Sequence, residues 1–229
     1  MDGIGPKEKR PKLINTNWGG AVEDNSFGTH EFMDLCEQLG TQPYVAMNMG
    51  SGTVKEMMDW IDYMTSDADS PMANLRRANG REKAWKVKYI GIGNESWGCG
   101  GNMTPEYYAN EFRRYNSFAL DTPGNKLFRV ACGPNEGNTD WTDKVMAGAG
   151  RFMNGISLHY YTLPTGNWTK KGSGTVFDEA QYAETLQHAL RMDDLIKEHL
   201  AVMDKYDPRH RVTLLVDEWG VWTDPEPGS

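Results

Sequence analysis

The sequence has few cysteines and no long apolar run, and both shortages limit what the protein can be. Its three cysteines, Cys36, Cys99 and Cys132, form no CxxC pair, so neither a disulfide framework nor a zinc site is indicated. Nowhere do about 18 apolar residues follow one another, and the opening MDGIGPKEKRPK lacks the apolar core of a signal peptide. We therefore expect a soluble protein without a membrane partner.

Basic residues are also few relative to acidic ones. Lys and Arg total 24 against 32 Asp and Glu, which gives a formal net charge of -8. No sustained basic stretch follows the opening segment, so binding to a phosphate backbone is disfavoured. The glycine signatures GxGxxG after an early strand and GxxxxGK[ST] are missing as well. Nucleic acid is not an expected partner, and nucleotide-binding α/β folds lose support.

The chain does contain five short apolar runs, each bounded by polar residues, glycine or proline. They are PYVAMNMG from Pro43, VKYIGIGN from Val87, LFRVACGPN from Leu127, GISLHYY from Gly155 and VTLLVDEW from Val212. Runs that are apolar on both faces suit parallel strands covered by helices. With 229 residues the chain is long enough for one substantial core, so one domain is the default.

Helix signals lie between these runs. Thr53 with Glu56 predicts a capping box, and Thr104 with Pro105 predicts an N-cap and an N1 proline. FGTHEFMDLCEQLG predicts a helix before the first strand, and apolar spacing predicts one long helix over 178–206. Alternating strands and helices predict an α/β fold with a parallel sheet. Because a complete barrel has eight strands, five runs leave either an open sheet or an incomplete (β/α)8 barrel.

Polar side chains stand at the carboxyl ends of four runs, where a parallel barrel places its reacting groups. Two carboxylates on separate strands, each close to a tryptophan, point to glycosidic bond cleavage: one protonates the leaving oxygen and the other attacks or stabilises the sugar carbon. Aromatic rings nearby can pack on the C–H faces of a sugar. The polar residues are Asn48, Asn94, Glu95, His159, Tyr160, Tyr161, Asp217 and Glu218, and the tryptophans are Trp97, Trp219 and Trp222.

Spacing alone leaves the roles open. Asp217 and Glu218 are adjacent, so in a regular strand their side chains point to opposite faces and only one can face the common mouth. His159 could be a general base or a metal ligand, but no HxH or HExxH pairing accompanies it. A hydrogen bond to the carboxylates is favoured, and neither a metal nor another cofactor is expected. Ordinary core packing would account for each aromatic residue taken alone.

Five segments in this order make the chain recognisable: DGIGPKEKRP, FGTHEFMDLCEQLG, GIGNESWG, SLHYY and DEWGVW. They resemble the catalytic barrel of family 51 glycoside hydrolases, the α-L-arabinofuranosidases, over nearly the whole chain. The resemblance implies a (β/α)8 TIM barrel, here an incomplete barrel covering about strands three to seven. It further implies that 1–229 is a partial catalytic domain without the family's C-terminal β-sandwich domain. The native amino terminus is expected upstream, which leaves the cellular location undetermined.

The resemblance also implies roles for single residues. Glu95 matches the general acid/base, and Glu218 matches the nucleophile. Asn94 matches the amide that holds the sugar 2-hydroxyl, and Asp217 is implied to point away. The remaining substrate-binding positions are Tyr161, which would contact the nucleophile and the sugar, with His159, Trp97 and Trp222.

The implied reaction is a retaining double displacement that removes terminal non-reducing α-L-arabinofuranosyl groups from arabinose-containing hemicellulose or pectin oligosaccharides. It requires the two carboxyl groups to lie roughly 5 to 5.5 Å apart. It also requires Glu95 to begin protonated, with a pKa raised by the charge of Glu218 and by partial burial. A homo-oligomer of the full-length parent is compatible with the family. The alternatives are a β-xylosidase or endoglucanase of the same clan, and an inactive fragment or sugar-binding remnant.

Overall fold

The computed structural model describes residues 1–227 and divides into two compact units. The first unit comprises Met1–Met103 and Asn110–Val130, and the second comprises Thr104–Ala109 and the chain from Ala131 onward. Helix α4 (Pro105–Asn116) therefore begins in the second unit and ends in the first. Within residues 1–227, no helix combines the length and apolar character needed to cross a membrane.

The first unit holds the strands and helices of the amino-terminal half. β1 (Leu13–Asn15) and β2 (Ala21–Glu23) form an exposed antiparallel hairpin. β3 (Tyr44–Met47) and β4 (Tyr89–Ile92) pair in parallel, and β5 (Phe128–Ala131) follows β4 in the sheet order. The helices that precede β4 are α1 (Thr29–Leu39), α2 (Val54–Thr65) and α3 (Pro71–Ala78). Apolar side chains of β3 and β4, such as Val45 and Ile90, are buried in its core.

The second unit is built around one parallel strand pair. β6 (Gly155–Thr162) lies beside β7 (Thr213–Val221), in a register that joins Gly155 to Thr213. Its helices are α5 (Thr139–Ala149), α6 (Glu179–Ala189) and α7 (Arg191–Met203). Ile156 and Leu158 of β6 are fully buried, which places the core of this unit beneath β6.

The strand predictions are confirmed, because each of the five apolar runs coincides with all or most of one of the strands β3 to β7. The helices predicted before the first strand, after Thr53 and after Thr104 are confirmed as well. The amide of Glu56 donates to Oγ1 of Thr53 at 3.2 Å, and Oε2 of Glu56 accepts from the amide of Thr53 at 2.8 Å. The α/β class of an incomplete (β/α) barrel agrees with these elements, whereas the sequence reading missed the β1–β2 hairpin and helices α3 and α5.

The prediction of one helix over 178–206 is wrong, because α6 and α7 are separate and Leu190 lies between them. In a continuous helix the carbonyl of His188 would accept the amide four residues later. Here the hydroxyl of Tyr160 donates to that carbonyl at 2.7 Å. A tertiary hydrogen bond from β6 thus accompanies the break, and no local sequence signal announces it.

Arg10 and Glu31 tie the amino-terminal segment to α1. Arg10 is buried, and two of its guanidinium nitrogens donate to the Glu31 carboxylate at 3.0 and 3.1 Å. Burial by itself raises the pKa of Glu31, but hydrogen bonds from Arg10 and from the amides of Glu31 and Gly28 outweigh it. They bring the pKa from 4.5 down to about 2.

A depressed pKa in the folded protein predicts a pH-dependent contribution to stability. Glu31 should stabilise the fold fully above about pH 5, and this stabilisation should fade as the pH falls toward 2, because the carboxylate must then be protonated. The difference between 4.5 and about 2 corresponds to roughly 3 to 4 kcal/mol at most. In urea unfolding, we expect Glu31→Gln to lower the free energy of unfolding most at pH 6 and least near pH 2. The exposed Glu8→Gln serves as the control, and a pH-independent effect of Glu31→Gln would contradict the assignment.

Candidate active site

The pairing of β6 with β7 contains one irregularity, and it lies at the predicted carboxylates. Leu158 is in register with Val216, but the next residue, His159, is in register with Glu218. Asp217 is therefore an extra residue in β7, which is a β-bulge. The simple alternation assumed from the sequence does not hold there, because a bulge re-aims the side chains around it.

The bulge brings both carboxylates of β7 to one imidazole ring. Nε2 of His159 lies 3.3 Å from Oδ1 of Asp217, and Nδ1 lies 3.4 Å from Oε2 of Glu218. The hydroxyl of Tyr161 donates to the other oxygen, Oε1, of Glu218 at 2.7 Å. The His159 side chain is 2% exposed and that of Asp217 is 10% exposed, whereas the Glu218 side chain remains 33% exposed. Glu218 thus accepts a hydrogen bond at one oxygen, lies close to the His159 ring at the other, and is still accessible to a ligand.

Aromatic rings surround Tyr161 in the second unit. Trp222 packs edge-on against Tyr161 with ring centroids 5.0 Å apart, and Trp168 packs edge-on against Trp222 at 5.4 Å. Nζ of Lys171 lies 5.5 Å from the centre of the Trp222 ring. The carboxylate of Asp224 accepts the amide of Lys171 at 3.2 Å, which fastens this loop to the segment after β7. Trp222 therefore lies in an ordered aromatic cluster. Trp219, by contrast, is 71% exposed.

A cavity of about 460 Å³ borders the same cluster. Tyr161 and Trp168 line it, together with Glu136, Tyr160 and Arg191. Burial raises the pKa of the Glu136 carboxyl above its usual value, while the charge of Arg191 opposes the shift. Burial also raises the pKa of the Tyr160 hydroxyl. A polar, partly enclosed space with aromatic walls is the kind of site that can receive a sugar ring.

Glu95 lies in the first unit, at the start of the loop that follows β4. Its φ is 44°, in the left-handed region that non-glycine residues seldom adopt. The carbonyl of Glu95 accepts the amides of Gly98 at 2.8 Å and Gly100 at 3.0 Å, so the loop folds back over this residue. A Cβ on Gly100 would lie 1.9 Å from the carbonyl oxygen of Asn94, so only glycine permits this close approach. Such strain recurs at functional positions.

The Glu95 carboxylate also accepts a hydrogen bond from a thiol. Sγ of Cys99, which is exposed, donates to Oε2 of Glu95 at 3.1 Å. Asn94 is exposed and Trp97 is half-buried in the same loop. The loop thus presents an amide, a carboxylate and an indole within four consecutive residues, as GNESW suggested.

The sequence-predicted residues fall into two groups. Glu218, Tyr161, His159 and Trp222 come together in the second unit. Asn94, Glu95 and Trp97 share one loop of the first unit. Three neighbours were missed: Asp217 was set aside on the family resemblance, Cys99 entered only as a cysteine count, and Trp168 had no signal. The spacing of Cys99 four residues after Glu95 in a glycine-rich turn was the one clue available.

Comparison with known proteins places these features in one family. Residues 1–181 match the family described as Alpha-L-arabinofuranosidase 1 domain. An intracellular exo-alpha-L-arabinofuranosidase of Bacteroides ovatus is 58% identical over 229 residues, which is all of this chain and 44% of that protein. A probable alpha-L-arabinofuranosidase C of Aspergillus niger is 33% identical over 97% of this chain and 45% of its own length. The chain spans less than half of the curated relatives it matches.

Solved structures agree. The crystal structure of the GH51 arabinofuranosidase from Xanthomonas axonopodis pv. citri superimposes with a TM-score of 0.94 at 51% identity, over 100% of this chain and 46% of that one. The thermostable GH51 alpha-L-arabinofuranosidase from Thermotoga petrophila gives a TM-score of 0.80 at 32% identity, over 98% of this chain and 44% of that one. The fold class is accordingly an α/β fold of the (β/α) barrel type. With the family match covering residues 1–181 and both structures agreeing in sequence and fold, the chain belongs to the α-L-arabinofuranosidases of glycoside hydrolase family 51.

Proposed function

We propose that the protein is a retaining glycosidase that removes terminal non-reducing α-L-arabinofuranosyl groups. The observation that carries the proposal is the Glu218 carboxylate: Tyr161 donates a hydrogen bond to one of its oxygens, Nδ1 of His159 lies 3.4 Å from the other, and one third of its side chain stays exposed. A carboxylate that is oriented but accessible suits a nucleophile. The names of the similar proteins support arabinofuranose as the sugar.

In the proposed reaction, Glu218 attacks the anomeric carbon while Glu95 gives its proton to the departing glycosidic oxygen. The products of this step are the free leaving-group alcohol and an arabinofuranosyl ester of Glu218. Glu95, now a carboxylate, takes a proton from water while the water oxygen bonds to the anomeric carbon, so that the bond to Glu218 breaks and arabinose is released. Both carboxyl groups return to their starting forms, and the anomeric configuration is retained.

The other predicted residues serve the sugar in this scheme. Asn94 would hold the 2-hydroxyl, a contact that strengthens as the oxocarbenium-like state forms. His159 and Tyr161 would line the arabinose pocket, and Trp97 and Trp222 would form walls for the adjoining sugar. We further propose that residues 1–229 belong to the catalytic barrel domain, and that the substrates are arabinose-containing hemicellulose or pectin oligosaccharides.

Two aryl glycosides test the activity of the intact protein. We expect release of p-nitrophenol from p-nitrophenyl α-L-arabinofuranoside and little from p-nitrophenyl β-D-xylopyranoside. Proton NMR of the first-formed arabinose should show the α-anomer, since double displacement retains configuration. Hydrolysis of the xyloside alone would favour the same-clan alternative. Arabinose binding without any hydrolysis would favour a sugar-binding remnant, and an initial β-anomer would refute the retaining mechanism.

A further inference from the structure

The loop that carries Trp168 is fastened to the segment after β7 by two carboxylates. We propose that Trp168 forms part of the wall for the leaving-group sugar, the one from which arabinose is removed, and that Asp224 and Glu226 position it there. The inference rests on the proposed function, in which Trp222 borders that sugar. It gives a task to three residues that neither the apolar pattern nor the family resemblance singled out.

The first step concerns the shape of the loop from Thr165 to Lys171. The amide of Thr165 donates to the carbonyl of Lys171 at 3.2 Å, so the two ends of the loop meet. Inside the loop, the side-chain oxygen of Asn167 accepts the amide of Thr169 at 2.8 Å. These contacts close the turn that carries Trp168 at its middle. A residue that fixes Lys171 therefore fixes the base of this turn.

The second step concerns the carboxylate at that base. Oδ1 of Asp224 accepts the amide of Lys171 at 3.2 Å, and Oδ2 accepts the amide of Gly172 at 3.0 Å. The amide of Asp224 donates in turn to the carbonyl of Gly172 at 2.8 Å. A hydrogen bond to a charged acceptor is stronger than one between neutral groups. Asp224 thus fastens the loop through both carboxylate oxygens and through its own main chain.

Glu226 holds the next stretch of the same chain. Its Oε1 accepts the hydroxyl of Ser173 at 2.6 Å and the amides of Gly174 and Thr175, each at 2.8 Å. Every residue from 171 to 175 therefore donates a hydrogen bond to one of the two carboxylates. We call this pair of residues, Asp224 and Glu226, the carboxylate clamp.

The third step places Trp168 beside the proposed sugar. Trp222 is held next to β6, because its amide donates to the carbonyl of Thr162 at 3.0 Å. Trp168 packs edge-on against Trp222 with ring centroids 5.4 Å apart and remains 44% exposed. It also lines, with Tyr161, the cavity of about 460 Å³. An exposed indole beside a cavity can pack on the C–H face of a sugar. The clamp orders it beforehand, which reduces the entropy lost on binding.

Two substrates with different leaving groups test the wall in the intact protein. The xylose units of an arabinofuranosyl xylotriose extend beyond the arabinose site, whereas the methanol of methyl α-L-arabinofuranoside does not. We expect Trp168→Ala to raise KM for the xylotriose about 3- to 10-fold. Its kcat should change little, because a wall binds the ground state and the transition state alike. An unchanged KM for the xylotriose, or an equal rise for both substrates, would overturn the wall.

A double-mutant cycle tests whether the clamp acts through Trp168. Asp224→Ala and Glu226→Ala should each raise the same KM, and Asp224→Asn should recover part of the loss because its amide oxygen still accepts a hydrogen bond. In the Trp168→Ala background, Asp224→Ala should add nothing, since the two residues would act as one unit. An additive effect, or no effect of Asp224→Ala on the unaltered background, would overturn the positioning role. The exposed Asp193→Ala is the matched control, and thermal unfolding verifies that each variant is folded.

Circular dichroism reads the ring pair without using activity. Two indoles in contact couple their transitions, which gives a paired positive and negative signal in the far ultraviolet. Trp168→Ala identifies this signal by difference, and Asp224→Ala should weaken it because the loop is released. The same signal at full strength in folded Asp224→Ala would contradict the clamp.

The outcomes separate this inference from the function on which it rests. If the unaltered protein hydrolyses both arabinofuranosides and Trp168→Ala leaves both KM values unchanged, the wall is overturned while the proposed function stands. If the unaltered protein hydrolyses neither, the proposed function fails and the wall fails with it. Circular dichroism then still decides whether Asp224 holds Trp168 against Trp222.

Discussion

Replacing Glu218 by alanine is expected to abolish turnover of every arabinofuranoside, with kcat/KM falling by at least about 10⁴-fold. The reason is that, in the proposed mechanism, the covalent intermediate forms on this carboxylate, so neither a good leaving group nor a change of pH can substitute for it. Tyr161 and His159 would keep their places, because their own backbone lies in β6. The loss should therefore be chemical rather than structural, which thermal unfolding of the variant can verify.

Chemical rescue makes the assignment of Glu218 sharper. Alanine leaves space beside the Tyr161 hydroxyl, and a small anion such as azide can enter it and attack an activated aryl substrate directly. A single displacement inverts the configuration, so we expect the β-arabinofuranosyl azide. The exposed Glu179→Ala, at the start of α6, is the matched control and should keep full activity. Residual turnover of the unrescued Glu218→Ala above about 1% of the unaltered protein would contradict a nucleophilic role.

Replacing Glu95 by alanine is the second change with a large expected effect, and its size should depend on the substrate. A leaving group that needs protonation should react about 10²- to 10⁴-fold more slowly, because general acid catalysis is lost. An acidic phenol departs without help, so the first step should survive for an activated aryl arabinofuranoside. The covalent intermediate should then accumulate and appear as a burst of phenol, since water no longer meets a general base.

Azide distinguishes the two carboxylates in this case as well. With Glu218 intact, azide attacks the covalent intermediate from the side that Glu95 vacated, and the product should be the α-arabinofuranosyl azide. Retained configuration for Glu95→Ala and inverted configuration for Glu218→Ala would together establish the roles. The exposed Glu82→Ala, in the same unit, provides the control. An equal loss on activated and unactivated substrates would argue against Glu95 as acid and base.

Much of the secondary structure could be predicted from local sequence. The strands β3 to β7 follow from runs that are apolar on both faces, and the start of α2 follows from the Thr53 and Glu56 capping box. Such signals are local, because burial on both faces and an N-cap hydrogen bond involve residues close in the chain. The division between α6 and α7 was not predictable, since the hydroxyl of Tyr160 reaches the carbonyl of His188 from 28 residues away.

In the candidate site, too, some features follow from local sequence and others only from long-range contacts. Glu95 and Glu218 could be singled out because both follow or end apolar runs beside tryptophan, and the family resemblance gave each a role. The hydrogen bond from the Cys99 thiol to the Glu95 carboxylate depends on how the glycine-rich loop folds back, which the sequence spacing only hinted at. Trp168 reaches Trp222 from a different loop that lies 54 positions earlier in the sequence.

By itself, the sequence determined the order of strands and helices, the family, and the two carboxylates to which a retaining glycosidase mechanism assigns roles. Only the tertiary structure decided what surrounds Glu218. Strand alternation treats β7 alone, but its register is set by pairing with β6, where Asp217 is accommodated as an extra residue. That long-range pairing places one imidazole against both carboxylates, although strand alternation would put the two residues on opposite faces.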